Sequence, residues 1–327
     1  EGDTAFTVSH YGEDVVAAVY NEKTKVSFEK ADFAGVEVSG AECELYVMQR
    51  SGWKKIDSWT SQAGGPHTIE GVLEAGKEYL YKEAAAPNGY AYSASIRFTL
   101  AKDGSITHAR YVDETGKTLV YDMNGRPTDV TVSETLAGDI YQLGGEDLTL
   151  TGGNLVDKTG KLIVEGAAVE IPVEDNTVVM KDDGIRITFE KIDFAGDEVA
   201  GATCTLSERK ADGTNTQIDR WVSEEGTSHT IDNTLKAGTT YLYHEEKAAE
   251  GYGYSYDIEF TIEKDGKIRD AHYLDPDGNK VLYDKDGFST SIVAMDDGTY
   301  RDGAKTVTIN DDGNAVDSEG NIIARGV

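Results

Sequence analysis

A block of about twenty residues is written twice in this chain. VSFEKADFAGVEVSGAECEL runs from Val26 to Leu45, and ITFEKIDFAGDEVAGATCTL runs from Ile187 to Leu206. The match continues through IDSWTS and IDRWVS, PHTI and SHTI, AGKEYLY and AGTTYLY, FTLAKDGSI and FTIEKDGKI. Lys30 and Lys191 are 161 residues apart, and Glu83 and Glu245 are 162 apart. A period this long means two copies of a whole folding unit rather than a solenoid of small repeats. At 327 residues there is room for both to bury a core.

The segments inside each copy are short, rich in Tyr, Val and Thr, and separated by turn signals such as DGS, ETGK, DMNG and DPDG, which predicts strands throughout. No helix-period segment is long enough to argue for a mixed fold. The expected architecture is all-β, with tandem Greek-key β-sandwiches and added hairpins between about Arg126 and Val173.

The copies are cut unevenly. EDVVAAVYNEKTKVSFEK (Glu13 to Lys30) aligns with EDNTVVMKDDGIRITFEK (Glu174 to Lys191). The expected division is therefore 1–23, the last strand of a repeat; 24–183, a first repeat carrying the hairpin insertion; and 184–327, a second repeat lacking its final strand.

Side chains in a strand alternate between faces, so parity identifies which ones share the core side. Val26, Phe28 and Lys30 are in phase, as are Ile187, Phe189 and Lys191. Tyr79, Tyr81 and Glu83 form another set, repeated by Tyr241, Tyr243 and Glu245. Val178, Met180 and Asp182 form a third, echoed near the N-terminus by Ala17, Val19 and Asn21. Each segment thus aims one ionisable or amide group inward. Buried charges must pair or neutralise, and desolvation lowers a lysine's pKa while raising a carboxyl's. A free amine facing a neutral acid is a nucleophile facing an electrophile, and a glutamate within reach could polarise the carbonyl and move the protons.

These residues resemble the Cna B-type, or SpaA-type, prealbumin-like domains of Gram-positive surface adhesins and pilins. The resemblance rests on Lys30 with GVEVSGAECEL, on Glu83 with AAAPNGY, and on VVMKDD ending in Asp182, and it covers the core of both repeats. It implies an autocatalytic isopeptide bond between Lys30 and Asp182 with Glu83 as catalyst, with no cofactor and no outside substrate. It also implies an extracellular, cell-surface or wall-attached protein. In the second repeat Glu245 stands beside Lys191 with no acceptor at the corresponding place. Asn21 on the spare strand of a neighbouring molecule is the favoured acceptor, giving a head-to-tail fibre. Asp296, at the end of SIVAMDD, is the competitor within the same chain.

The remaining features exclude more than they suggest. With 31 Lys+Arg against 60 Asp+Glu the net charge is −29, which repels nucleic acid and anionic membrane. No apolar run is long enough to span a bilayer. Cys43 and Cys204 occupy equivalent positions, so each reads as a small buried residue. The acidic turns lack the Gly and Glu spacing of a calcium loop. His67 and His229 have no partners spaced for zinc, so no metal site is expected. Trp59 and Trp221 read as core residues. The second functional class is a monomeric adhesin or glycan-binding sandwich that recognises a host surface protein or glycan.

Overall fold

The computed structural model describes residues 21–295 and 297–327, and every element among them is a β-strand. The first fourteen are β1 (Lys25–Asp32), β2 (Glu42–Gln49), β3 (Gly52–Thr60), β4 (His67–Glu70), β5 (Glu78–Ala85), β6 (Ser95–Leu100), β7 (Ile106–Val112), β8 (Thr118–Tyr121), β9 (Pro127–Thr135), β10 (Gly138–Leu143), β11 (Glu146–Thr151), β12 (Asn154–Val156), β13 (Leu162–Val164) and β14 (Thr177–Asp182). The others are β15 (Arg186–Phe189), β16 (Thr203–Arg209), β17 (Asn215–Val222), β18 (His229–Asp232), β19 (Thr239–Lys247), β20 (Asp257–Ile262), β21 (Ile268–Leu274), β22 (Lys280–Tyr283), β23 (Ser289–Ala294), β24 (Tyr300–Asp302), β25 (Lys305–Ile309), β26 (Ala315–Val316) and β27 (Ile322–Ala324).

In the first body a three-stranded sheet, β14-β1-β4, covers one end of an eleven-stranded sheet ordered β13-β12-β11-β10-β9-β8-β7-β6-β5-β2-β3. The layers meet through Val26 and Phe28 of β1, Ile69 of β4, and Val178 and Met180 of β14. Opposite them lie Leu45, Tyr79, Tyr81, Ile96 and Phe98. Each such side chain, fully buried, contributes about 1.5–3 kcal/mol. β14 runs parallel to β1, with Lys30 level with Met180 and Asp32 level with Asp182. A parallel neighbour cannot come from a tight hairpin, so this pair joins residues far apart in sequence.

The hairpins expected after Arg126 extend the same sheet instead of forming a separate layer, because β9 pairs with β8 on one side and β10 on the other. A small core of Val120, Val130, Val132, Leu155 and Val164 supports them. Several turns along this sheet repeat one device, in which an aspartate side chain accepts from the amides that follow it. Asp113 does so from Thr115 and Lys117, and Asp157 from Thr159 and Lys161.

The second body repeats the plan as far as the described residues run. β15 pairs with β18, and among the described residues no strand lies along its other edge. The facing sheet runs β17-β16-β19-β20-β21-β22-β23-β24-β25-β26-β27. Its core contains Ile187, Leu206, Ile231, Tyr241, Phe260 and Ile262.

Two residues, Asp183 and Gly184, separate β14 from the buried Ile185 that opens the second body. The junction is bonded backbone to backbone. Gly89 N donates to Leu235 O (2.8 Å), Ile185 N to Gly89 O (2.7 Å), Ala91 N to Asp183 O (2.8 Å) and Tyr92 N to Lys264 O (2.8 Å). Gly89 has φ +89°, and a Cβ there would stand 2.6 Å from the Asn233 backbone. Gly89→Ala is therefore expected to destabilise the junction by about 1–3 kcal/mol. Calorimetry should show the second body melting earlier than in the parent, and an unchanged trace would contradict the close approach.

Candidate functional site

Alternation along three strands brings three ionisable groups to one point. Lys30 follows Val26 and Phe28 on β1, Glu83 follows Tyr79 and Tyr81 on β5, and Asp182 follows Val178 and Met180 on β14; all are buried. Lys30 Nζ contacts Asp182 Oδ1 and lies 3.1 Å from Glu83 Oε1. Glu83 Oε1 and Asp182 Oδ2 are buried with no geometrically sound hydrogen bond of their own, so the lysine is the group both carboxyls face.

Ser93, in the loop between β5 and β6, ties the cluster together. Its amide donates to Glu83 Oε2 (2.8 Å), its hydroxyl accepts from Lys30 Nζ (2.8 Å), and the same hydroxyl donates to Lys181 O (2.6 Å) and meets Asp182 Oδ1. Sequence reasoning passed over this serine. The available signal was the YS pair that follows each Gly-Tyr corner, ten residues after the glutamate in both copies.

Burial sets the electrostatics. It pushes the Glu83 carboxyl up to about 7 against the pull of Lys30, with Asp182 pushing the same way. Burial also raises Asp182, again opposed by Lys30. Two carboxyls and one ammonium in an apolar pocket leave one negative charge too many, so the favoured state carries a proton on a carboxyl.

In the second body Glu245 is buried, and Ser255 N donates to its Oε2 (2.6 Å) as Ser93 does in the first. Lys191 is only half-buried, its Nζ stands 3.6 Å from Glu245 Oε1, and that oxygen has no hydrogen-bond partner. The structure thus brings Lys191 and Glu245 together. Asn21 is exposed. Asp296, like residues 1–20, lies outside the described residues; β23, which precedes it, pairs with β22 and β24.

Cys43 stands level with Glu83, and Cys204 with Glu245, on adjacent strands. Both are free and buried. A small side chain there leaves space for the carboxyl, and burial pushes the Cys43 thiol up to about 11, far from thiolate chemistry. His67 stacks on Trp59 at 4.2 Å and bonds Asp57 at 2.9 Å, and His229 does the same with Trp221 (4.1 Å) and Asp219 (2.8 Å). In each copy the two rings satisfy one another, as a structural role requires.

The family model for the SpaA prealbumin-like fold domain matches residues 24–115 and 185–273, more than half of the chain. No curated protein matches the sequence. Solved structures similar to it include the C-terminal fragment of pilus adhesin SpaC from Lactobacillus rhamnosus GG, at 19% identity over 82% of this chain and 95% of that one, with a TM-score of 0.33. Against SpaC in its open conformation the alignment covers 30% of that chain. The shaft pilin spaA from the same organism aligns at 12% identity over 75% of this chain and 94% of that one, TM-score 0.27. The pilus-presented adhesin Spy0125 (Cpa) aligns at 11% over 72% and 93%, TM-score 0.26. By the two matched segments, the chain belongs to the SpaA family of prealbumin-like fold domains.

Proposed function

We propose that this protein is a structural component of a Gram-positive surface fibre or adhesin stalk, whose first body locks itself with an amide between Lys30 and Asp182. The observation that carries the reading is the burial of Lys30, Glu83 and Asp182 in mutual contact. Glu83 takes a proton from the Lys30 ammonium, and the resulting amine attacks Cγ of the protonated Asp182 acid. The Nζ–Cγ bond forms, one Cγ–O bond breaks, and that oxygen leaves as water with a second proton from Nζ. Glu83 ends the step protonated, which its raised pKa favours, and can donate to the new carbonyl. Each molecule reacts once, on itself.

The second body supports the head-to-tail arm of the reading. Lys191, Glu245 and Ser255 repeat three parts of the cluster beside a β15 edge that no described strand covers. An unpaired edge is a template for an added strand. A strand ending at Asn21 of a second copy would place an amide side chain where Asp182 stands in the first body, and ammonia would leave in place of water. Purified protein is expected to give a ladder on denaturing gels that disappears in both Lys191→Ala and Asn21→Ala. A ladder that survives both changes, or a peptide map joining Lys191 to Asp296 of its own chain, would refute this linkage.

A further inference from the structure

Inside one molecule, the Pro87–Tyr90 corner of the first body is seated on the Asn233–Leu235 turn of the second. Gly89 and Ala91 are buried by this contact, and Ile185 is 2% exposed. The repeat carries the same two surfaces a second time, and among the described residues no other body covers either, although the Lys23 side chain lies against Gly71. The matching corner, Glu250–Gly251–Tyr252, is exposed, as is the following Gly253, with Tyr252 48% and Tyr254 69% accessible. The matching turn, Gly71–Val72–Leu73, presents Val72 at 67%.

We propose that the Glu250–Tyr254 corner docks on the Gly71–Leu73 turn of a second copy of this chain, reproducing between molecules the joint already present within one. This rests on the head-to-tail reading and specifies its interface. The turn is already in the docking conformation. Gly71 has φ +71° where Asn233 has φ +55°, and Gly71 N donates to Thr24 O (2.7 Å) as Asn233 N donates to Ile185 O (3.3 Å). Thr24 Oγ1 bonds the Leu73 carbonyl at 2.7 Å, leaving that oxygen's second lone pair for Gly251 N, the counterpart of Gly89 N.

The spacing fits as well. Two residues, Glu22 and Lys23, separate Asn21 from Thr24, as Asp183 and Gly184 separate Asp182 from Ile185. A strand ending at Asn21 in one molecule's second body therefore delivers the next molecule's first body to the same relative position. Lys102, the counterpart of Lys264, is exposed there. Its carbonyl would accept from Tyr254 N, and its ammonium would sit over the Tyr254 ring, as Lys264 sits 5.6 Å from the centre of the Tyr92 ring.

Gly253 gives the test, because it occupies the place of Ala91. A Cβ on Gly266 would come within 3.0 Å of Ala91 Cβ, so the joint has room for a methyl group and little more. In the free second body nothing lies within 4 Å of a Cβ at Gly253, and its φ is not in the left-handed region. Full-length Gly253→Leu should fold and melt like the parent, yet form about tenfold fewer multimers or less. Gly253→Ala should assemble normally. Multimers would be counted by light scattering under native conditions and by denaturing gel, with the first-body water loss as a folding control. Equal assembly of the leucine variant overturns this joint while leaving a Lys191–Asn21 link standing. Failure of the parent chain itself to assemble overturns both.

Discussion

Lys30→Ala should have the full mass calculated from its sequence, where the linked parent is one water short of its own, and a melting temperature lower by about 10–20 °C. The amide would close a loop between residues 152 apart, and for a cross-link of that span chain entropy alone gives about 5 kcal/mol. For a unit of this size each kilocalorie moves the midpoint by about 2–4 °C. Asp182→Asn is the control for chemistry. Asparagine can lose ammonia to give the same amide, so its product should have the same mass as the linked parent. A parent whose mass shows no missing water, or a Lys30→Ala variant as stable as the parent, would sink the linkage.

The alanine variant should also respond to pH in a particular direction. Glu83 already sits near 7, above its ordinary 4.5, and removing the ammonium that holds it down moves it further up. Above pH 4.5 the folded variant then keeps a proton that the unfolded chain has released, so unfolding is favoured as pH rises. Relative to the linked parent, Lys30→Ala should be less stable at pH 8 than at pH 5. Thermal melts at the two pH values decide it, and the opposite slope would show that burial does not govern the pair.

Glu83→Gln is the second large effect. The amide keeps the shape of the carboxyl but cannot take the lysine's proton, so linkage should slow by about 10²–10⁴-fold. Freshly purified protein should then be dominated by unlinked chain, although Lys30 and Asp182 are both present. Intact mass over days of incubation follows the reaction. If the variant is fully linked at the earliest time, Glu83 is not the proton acceptor, and desolvation alone must account for the chemistry.

Much of this was legible in the sequence because strand parity is a local rule. Val26, Phe28 and Lys30 reveal their shared face without knowledge of any partner strand, and so do Tyr79, Tyr81 and Glu83. The β1 and β14 pairing spans most of the first body, yet the internal repeat exposed it, since EDNTVVMKDD precedes the second copy as EDVVAAVYNEK precedes the first. Ser93 escaped because it contributes through a backbone amide and a loop hydroxyl, neither of which leaves a periodic signature. The continuation of the main sheet through β8 to β13 was also hidden. Those strands show mostly exposed or half-exposed residues around six buried apolar side chains, so their patterning marks hairpins without saying which sheet they join.

The parallel arrangement of β1 and β14 has a mechanical corollary. Tension drawn along the chain enters the first body at the start of β1 and leaves at the end of β14, which loads the pair in shear. An amide from Lys30 to Asp182 would carry that force directly across two neighbouring strands. The polypeptide between them, which would pay out roughly 500 Å if stretched at about 3.5 Å per residue, would stay slack, and the unit would transmit a pull without lengthening.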